Sequence, residues 1–279
     1  MGFHMAAHLS KKYDTFVYNR TQSKADDWNA EFEGTTCPDL SALPDSLDYI
    51  LTCIGNDNDL RDVYLSDNGL IQQATPGTIL IDHTTASADV AREIASAANA
   101  RGLSFIDAPV SGGEQGAING QLTVMCGADK DVFKQARPVM DCFAKAVSCL
   151  GPNGAGQLTK MCNQIAIAGL VQGLSESIHF AEQAGLDPQN VIDVISKGAA
   201  QSWQMDNRHK TMIAGEFNHG FAVDWMRKDL GICLDEARRN AAKLPVTALV
   251  DQFYADVQDM GGQRWDTSGL LERLRSKKS

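Results

Sequence analysis

The 279-residue sequence has no apolar run approaching the ~20 residues of a membrane-spanning helix, and no secretory-leader pattern at its start. It has no basic excess either. Asp and Glu number 35 against 25 Lys and Arg, for a formal charge of −10. That excludes a non-specific nucleic-acid binder, which needs a cationic footprint. Any anionic ligand must be held by local groups against the overall field. The seven cysteines (37, 53, 126, 142, 149, 162, 233) never form a C-x-x-C pair. An odd set without metal-ligand spacing reads as reduced thiols in a cytoplasmic protein, with neither a metal site nor a disulfide framework. Internal repeats and low-complexity tracts are also missing. What is present is ordinary for a soluble chain, 43% hydrophobic and 22% charged, and long enough for two domains.

The opening stretch, MGFHMAAHLS, lacks a strand before its helix. Met5, Ala6 and Leu9 fall at helical spacing behind Gly2, and the buried strand around Phe16-Val17-Tyr18 comes only afterwards. Further apolar strands are expected at 48–54, 78–82, 103–107, 121–126 and 146–150, alternating with helices near 21–32, 58–65, 87–101 and 130–143. Such alternation indicates an α/β fold: a Rossmann-type, doubly wound, mostly parallel sheet covered on both faces. After Gly151-Pro152-Asn153-Gly154 the pattern turns helical, with segments at 155–184, 188–198, 204–213, 225–242 and 246–260. The expected division is therefore a nucleotide-binding domain over 1–152, its first strand missing, and an all-helical domain over 153–279.

Several segments carry residue types suited to chemistry. Gly2, opening an amphipathic helix, matches the third glycine of a G-x-G-x-x-G turn, the position that lets helix and strand pack closely below a pyrophosphate. After the next strand comes Asn19-Arg20-Thr21, where an NAD enzyme would place an acid for the ribose 2′-hydroxyl. A neutral Asn followed by Arg suits a 2′-phosphate; the alternative is a strand end with a solvated Arg. Asp107-Ala108-Pro109-Val110-Ser111-Gly112-Gly113 follows a strand's C-terminal end. There the hydroxyl of Ser111 and open main-chain N–H groups at Gly112 and Gly113 suit a carboxylate, unless the loop is merely flexible. Lys160, Asn163 and Gln164 lie at i, i+3 and i+4 on the long helix. A buried lysine there could act as general acid or base, whereas a solvated one would do nothing chemical. Lys228-Asp229, expected to start a helix, reads as a charge beside the cofactor or as a surface ion pair. Trp203 and Phe221 read as an apolar wall or as core.

In this order, the glycine-turn tail Met1–Ala6, NRT, DHTTAS, DAPVSGG, GAGQLTKMCNQ and MRKDL, the chain resembles the β-hydroxyacid dehydrogenase family along its whole length. That family includes 3-hydroxyisobutyrate dehydrogenases, tartronate semialdehyde reductases and glyoxylate/succinic semialdehyde reductases. The resemblance implies an NAD(P)-dependent oxidoreductase moving hydride between NADP(H), or NAD(H), and a small β-hydroxy acid or its semialdehyde. By the same route Lys160 is catalytic; Ser111, Gly112, Gly113, Asn163 and Gln164 bind substrate; and Gly2, Phe3, His4, Met5, Asn19, Arg20, Thr21, Ile54, Gly55, Thr85 and Lys228 bind cofactor. Thr85 would approach the nicotinamide, and Ile54-Gly55 the adenosine side. The helical domain would close over the substrate and form a homodimer or homotetramer, with no nucleic-acid or membrane partner. One departure stands out: the family usually carries Asn-Asn where this chain has Asn163-Gln164, one methylene longer. The rival readings are an imine reductase of the same architecture, whose members generally replace the lysine, and a non-catalytic relative serving binding or oligomerisation. A 6-phosphogluconate dehydrogenase would need a much longer helical domain.

Overall fold

The structure, a computed structural model, describes residues 1–276. It divides into two compact units that meet in sequence at Lys160 and Met161.

The first unit runs α1 (Gly2–Leu9), β1 (Phe16–Val17), α2 (Gln22–Glu31), β2 (Thr35–Thr36), a 3-10 turn, β3 (Tyr49–Thr52), α3 (Asp57–Leu65), α4 (Leu70–Gln73), β4 (Ile79–Asp82) and α5 (Ala88–Asn99). It continues with β5 (Ser104–Asp107), β6 (Val110–Ser111), α6 (Gly113–Ile118), β7 (Leu122–Gly127), α7 (Lys130–Met140), β8 (Ala144–Gly151) and the first turns of α8 (Ala155–Gln183). β3, β4 and β5 are parallel and in register, so that Thr52, Asp82 and Asp107 form one row at their C-terminal ends. β7 runs antiparallel to β5 and β6 and parallel to β8, while β1 and β2 form a separate parallel pair. All four residues of β4 are buried, as expected of a strand covered on both faces. Ile79 and Ile81 join one apolar cluster with Met5, Ile106, Val124 and Phe143, and Leu80 joins another with Tyr64, Ile94 and Phe105. That two-residue period places one core on each side of the sheet, the defining feature of a doubly wound α/β fold.

Local chemistry sets the helix starts. Asn56 accepts hydrogen bonds from the N–H groups of Asn58 and Asp59 and begins α3, and Ser87 does the same for α5 through Val90. The segment expected to be an open glycine loop is ordered. Val110 and Ser111 pair with Val124 and Thr123, and α6 starts at Gly113. Gly112 turns the chain there at φ 127°, a conformation that favours glycine.

In the second unit, the rest of α8 is followed by α9 (Pro188–Ile195), α10 (Trp203–Ala214), α11 (Val223–Asn240), α12 (Pro245–Asp259) and α13 (Leu270–Arg275). Among the described residues the β pairing here is a single bridge between Ala222 and Asp266. Asp187 caps α9, which opens on Pro188, where the missing N–H is not needed. Leu230, Val250, Tyr254 and Leu270 anchor one core cluster and Ile178, Met205, Met212 and Leu271 another. Lys228 and Asp229 lie in the second turn of α11 and do not start it, because the helix begins five residues earlier, at Val223. No helix among the described residues is long and apolar enough to cross a membrane.

Candidate active site

In doubly wound sheets ligands bind outside the carboxyl ends of the parallel strands, and here the loops at that edge are tied together. The Asp82 carboxylate accepts from Thr52 Oγ1 (2.7 Å), Thr84 Oγ1 (2.7 Å) and the Thr84 N–H (3.1 Å). Thr84 Oγ1 in turn accepts from the Ile54 N–H at 2.9 Å. Asp57 takes both the N–H (2.9 Å) and the hydroxyl (2.5 Å) of Ser87. The Ile54-Gly55 and Thr85 segments are thus braced against each other. Tyr64, buried beneath them with its hydroxyl 2.8 Å from Thr52 Oγ1, is pushed well above the usual phenol range by burial and by the Asp82 charge, so it stays protonated.

The start of α1 touches this edge: a Cβ at Gly2 would lie 3.5 Å from that of Cys53. No side chain caps α1 and no acid lies in its first turn, whereas α3 and α5 have both a side-chain cap and first-turn acids. The uncapped N–H groups of α1 therefore suit a pyrophosphate, and those of the other two do not. Phe3 packs edge-on against His4 and Phe32, and His4 lies 3.9 Å from Glu114. The Met5 side chain is in the core, and its N–H, like that of His4, donates to the Met1 carbonyl at 3.1 Å. Asn19 Oδ1 accepts from the Thr21 N–H at 2.9 Å, which turns the chain into α2. The Arg20 guanidinium projects into solvent, 3.6 Å from Asp59. Asp59 itself lies so close to Gly55 that any side chain at position 55 would collide with its carboxylate.

Asp107, fully buried at the end of β5, caps α8 from across the fold. Its two oxygens accept from the Gly154 N–H (2.7 Å) and the Gln157 N–H (3.0 Å). Burial pushes its carboxyl up to about 7, outweighing those two donors. Three residues beyond Gln157, Lys160 is buried at 7% exposure, which removes the solvated-surface reading. Ser111 is half-buried, and Gly112 and Gly113 are exposed at the start of α6.

In the second unit, Asn163 Nδ2 donates to Gln164 Oε1 (2.7 Å), and Gln164 Nε2 donates to Asp229 Oδ2 (2.7 Å). Lys228 Nζ stands 3.2 Å from the other Asp229 oxygen. Asp229 is 1% exposed, so the Lys228–Asp229 pair is not a surface ion pair. The extra methylene of Gln164 is used to reach Asp229. Trp203 and Phe221 are exposed, not core, and Arg208 stacks over the Trp203 ring at 5.2 Å.

The sequence reading passed over Asp57, Asp59, Asp82, Thr84 and Gln157. Their sign in the sequence is only that polar residues stand beside the motif positions, and most of their partners lie 30 to 73 residues away, the near ones being Asp82 for Thr84 and Asn56 and Gly55 for Asp59. No cluster of His, Cys, Asp and Glu among the described residues could hold a metal ion.

Residues 1–151 match the family described as the NAD binding domain of 6-phosphogluconate dehydrogenase. Residues 154–274 match the NAD-binding family of NADP-dependent 3-hydroxyisobutyrate dehydrogenase. An uncharacterized oxidoreductase of Shewanella frigidimarina is 57% identical over 100% of this chain and 96% of its own. The 2-hydroxy-3-oxopropionate reductase of Escherichia coli is 32% identical over 83% of this chain and 80% of its own.

The chain belongs to the β-hydroxyacid dehydrogenase family.

Its fold agrees: the 3-hydroxyisobutyrate dehydrogenase of Mycobacterium tuberculosis, solved with L-serine, superposes with a TM-score of 0.89 at 27% identity, covering 99% of this chain and 96% of that one. The protein is an NAD(P)-dependent hydroxyacid dehydrogenase with a nicotinamide cofactor.

Proposed function

We propose that this dehydrogenase interconverts a small β-hydroxy carboxylate and its semialdehyde with NADP(H), using Lys160 as general acid and base. The observation that carries the reading is a buried Lys160 on a helix turn fastened to the ligand edge of the sheet. The nicotinamide cofactor, when bound, supplies or takes the hydride. The start of α1, Gly2 to Met5, borders the pyrophosphate, which takes the main-chain N–H groups of Gly2 and Phe3, those of His4 and Met5 donating to the Met1 carbonyl, while Ile54-Gly55 and Thr85 border the cofactor. Arg20, with Asn19 and Thr21 shaping its turn and no acid at the end of β1, favours the 2′-phosphate of NADP. Lys228 adds positive charge beside the cofactor.

Ser111 and the main chain of Gly112 and Gly113 hold the substrate carboxylate, and Asn163 and Gln164 orient substrate and lysine. In reduction Lys160 gives its proton to the oxygen that becomes the hydroxyl, and in oxidation it takes that proton back. The relative named for 2-hydroxy-3-oxopropionate and the neighbour solved with L-serine both point to a three-carbon molecule bearing oxygen on the β carbon. Self-association through the helical unit is part of the reading, supported by Phe180 and Val194, 71% and 70% exposed. A reducing, cytoplasmic setting is also part of the reading, supported by seven cysteines without C-x-x-C spacing.

The test is cofactor turnover against a panel of small semialdehydes and cyclic imines, with NADPH and NADH in parallel. Turnover of a β-semialdehyde, faster with NADPH, is expected. Turnover of imines alone would replace the reading with an imine reductase, and no turnover with any of them would favour the non-catalytic relative.

A further inference from the structure

Gln157 is 1% exposed, and its carboxamide makes two hydrogen bonds. Nε2 donates to the Thr84 carbonyl at 2.7 Å, and Oε1 accepts from the Ala86 N–H at 3.0 Å. Those two main-chain groups flank Thr85. The N–H of Gln157 is itself held by Asp107 at 3.0 Å. Close packing prevents this turn from sliding: a Cβ at Gly156 would come within 2.4 Å of the carbonyl oxygens of Asp107 and Met125, and one at Gly127 within 2.8 Å of the Ala155 nitrogen. Gln157 and Lys160 are i and i+3 on α8, on one face of the helix. One uncharged side chain thus serves as donor and acceptor to both sides of Thr85, a single turn before the lysine. An ionised carboxylate lacks the donor, and an apolar side chain lacks both groups.

We propose that Gln157 is a positioning residue for hydride transfer, setting the place of the Thr85 segment relative to the α8 turn that carries Lys160. The proposal rests on the reading of Lys160 and Thr85 given above. Displacements of about 1 Å in such an arrangement can lower turnover by ~100-fold without any contact being lost at the reacting atoms.

The experiment compares Gln157→Met and Gln157→Glu with the wild type and with Lys160→Ala, using NADPH and 2-hydroxy-3-oxopropionate as the probe pair. Hydrogen exchange of residues 84–87 is followed in the ligand-free protein. In Gln157→Met, exchange at Ala86 should quicken while that of β4 stays slow. Its kcat should fall about 10- to 100-fold, with NADPH affinity within a few-fold and a larger deuterium isotope effect from labelled NADPH.

Gln157→Glu supplies the readout that a merely structural role would not move. When protonated, its carboxyl donates to Thr84 and accepts from Ala86, so its kcat relative to wild type should rise as the pH is lowered. Asp107, Asp82, His83 and Lys160 are present in both proteins, and taking the ratio removes the pH dependence common to the two. Turnover within twofold of wild type in Gln157→Met, or a Gln157→Glu ratio that does not change with pH, overturns the proposal while an inactive Lys160→Ala leaves the reading of Lys160 standing. An active Lys160→Ala overturns that reading instead. If the probe pair is not turned over by the wild type, unchanged exchange at Ala86 in Gln157→Met still refutes the proposal, and quickened exchange confined to 84–87 supports it.

Discussion

Replacing His83 with Asn should change how the first unit's stability responds to acid, because His83 and Asp107 titrate in opposite senses. His83 Nδ1 donates to the Ala108 carbonyl at 2.7 Å, and Nε2 is buried with no hydrogen-bond partner among the described residues. Burial lowers its pKa to about 4, the Ala108 bond opposing only in part. Between pH 4 and 6.5 the unfolded chain therefore holds one proton more than the native one at this residue, and stability rises with pH. Asp107 is the reverse. Its carboxyl is raised from 3.8 to about 7, so across that window the native state holds the extra proton and stability falls as pH rises. A full proton's difference is worth roughly 1.4 kcal/mol per pH unit, and the two slopes nearly cancel between about pH 4 and 6.5. His83→Asn keeps a donor for Ala108 but does not titrate. Its deficit relative to wild type should grow by about 3 kcal/mol across that interval. Asp107→Asn should show the opposite trend and gain on wild type by a similar amount. Urea unfolding at several pH values would measure both, followed by the fluorescence of Trp28, the one tryptophan of the first unit, with Trp203, Trp225 and Trp265 changed to Phe. A stability difference that does not vary with pH in either variant would refute the reasoning.

Arg20→Asp should remove or reverse a preference for NADPH, measured as the ratio of kcat/KM for the two cofactors; a wild type that prefers NADH would contradict the role given to Arg20. Ser111→Ala should raise KM for the carboxylate substrate more than it weakens NADPH, and a collapse of NADPH binding would move this loop to the cofactor. Gly156→Ala forces a methyl group against two main-chain oxygens at 2.4 Å, so it should destabilise the protein by several kcal/mol, more than overpacking that side chains can absorb (~1–3 kcal/mol). Thermal unfolding beside an Ala155→Gly control would show it.

The parts of the fold with a strong local signal could be read from the sequence. ILID at 79–82 is uninterrupted and apolar until its last residue, and it forms the buried β4. Thr35–Thr36, a two-residue strand among turn-forming residues, has no such signal, since it exists only by pairing with β1. GGEQGAI reads as a loop because its glycines disfavour a helix, yet the turn at Gly112 and the packing of Ala117 in the core hold α6 together. The buried polar network was the least legible. Asp107 reaches α8 across 47 residues and Gln157 reaches Thr84 across 73, and neither spacing leaves a periodic trace. Gln164 is one methylene longer than the family's usual Asn, and its hydrogen bond to Asp229, 65 residues away, has no sign in the sequence.

The measurement that tests the central claim most directly is the turnover of Lys160→Ala beside its NADPH affinity. General acid–base catalysis contributes typically ~10²–10⁴-fold, so kcat should fall by about that factor while NADPH affinity, by fluorescence or calorimetry, stays nearly unchanged. Lys160→Arg should recover little, because a guanidinium does not give up its proton near neutral pH. A Lys160→Ala enzyme retaining more than about a tenth of wild-type kcat leaves the lysine at most ~1.4 kcal/mol of the barrier, and would contradict its role as the proton donor and acceptor.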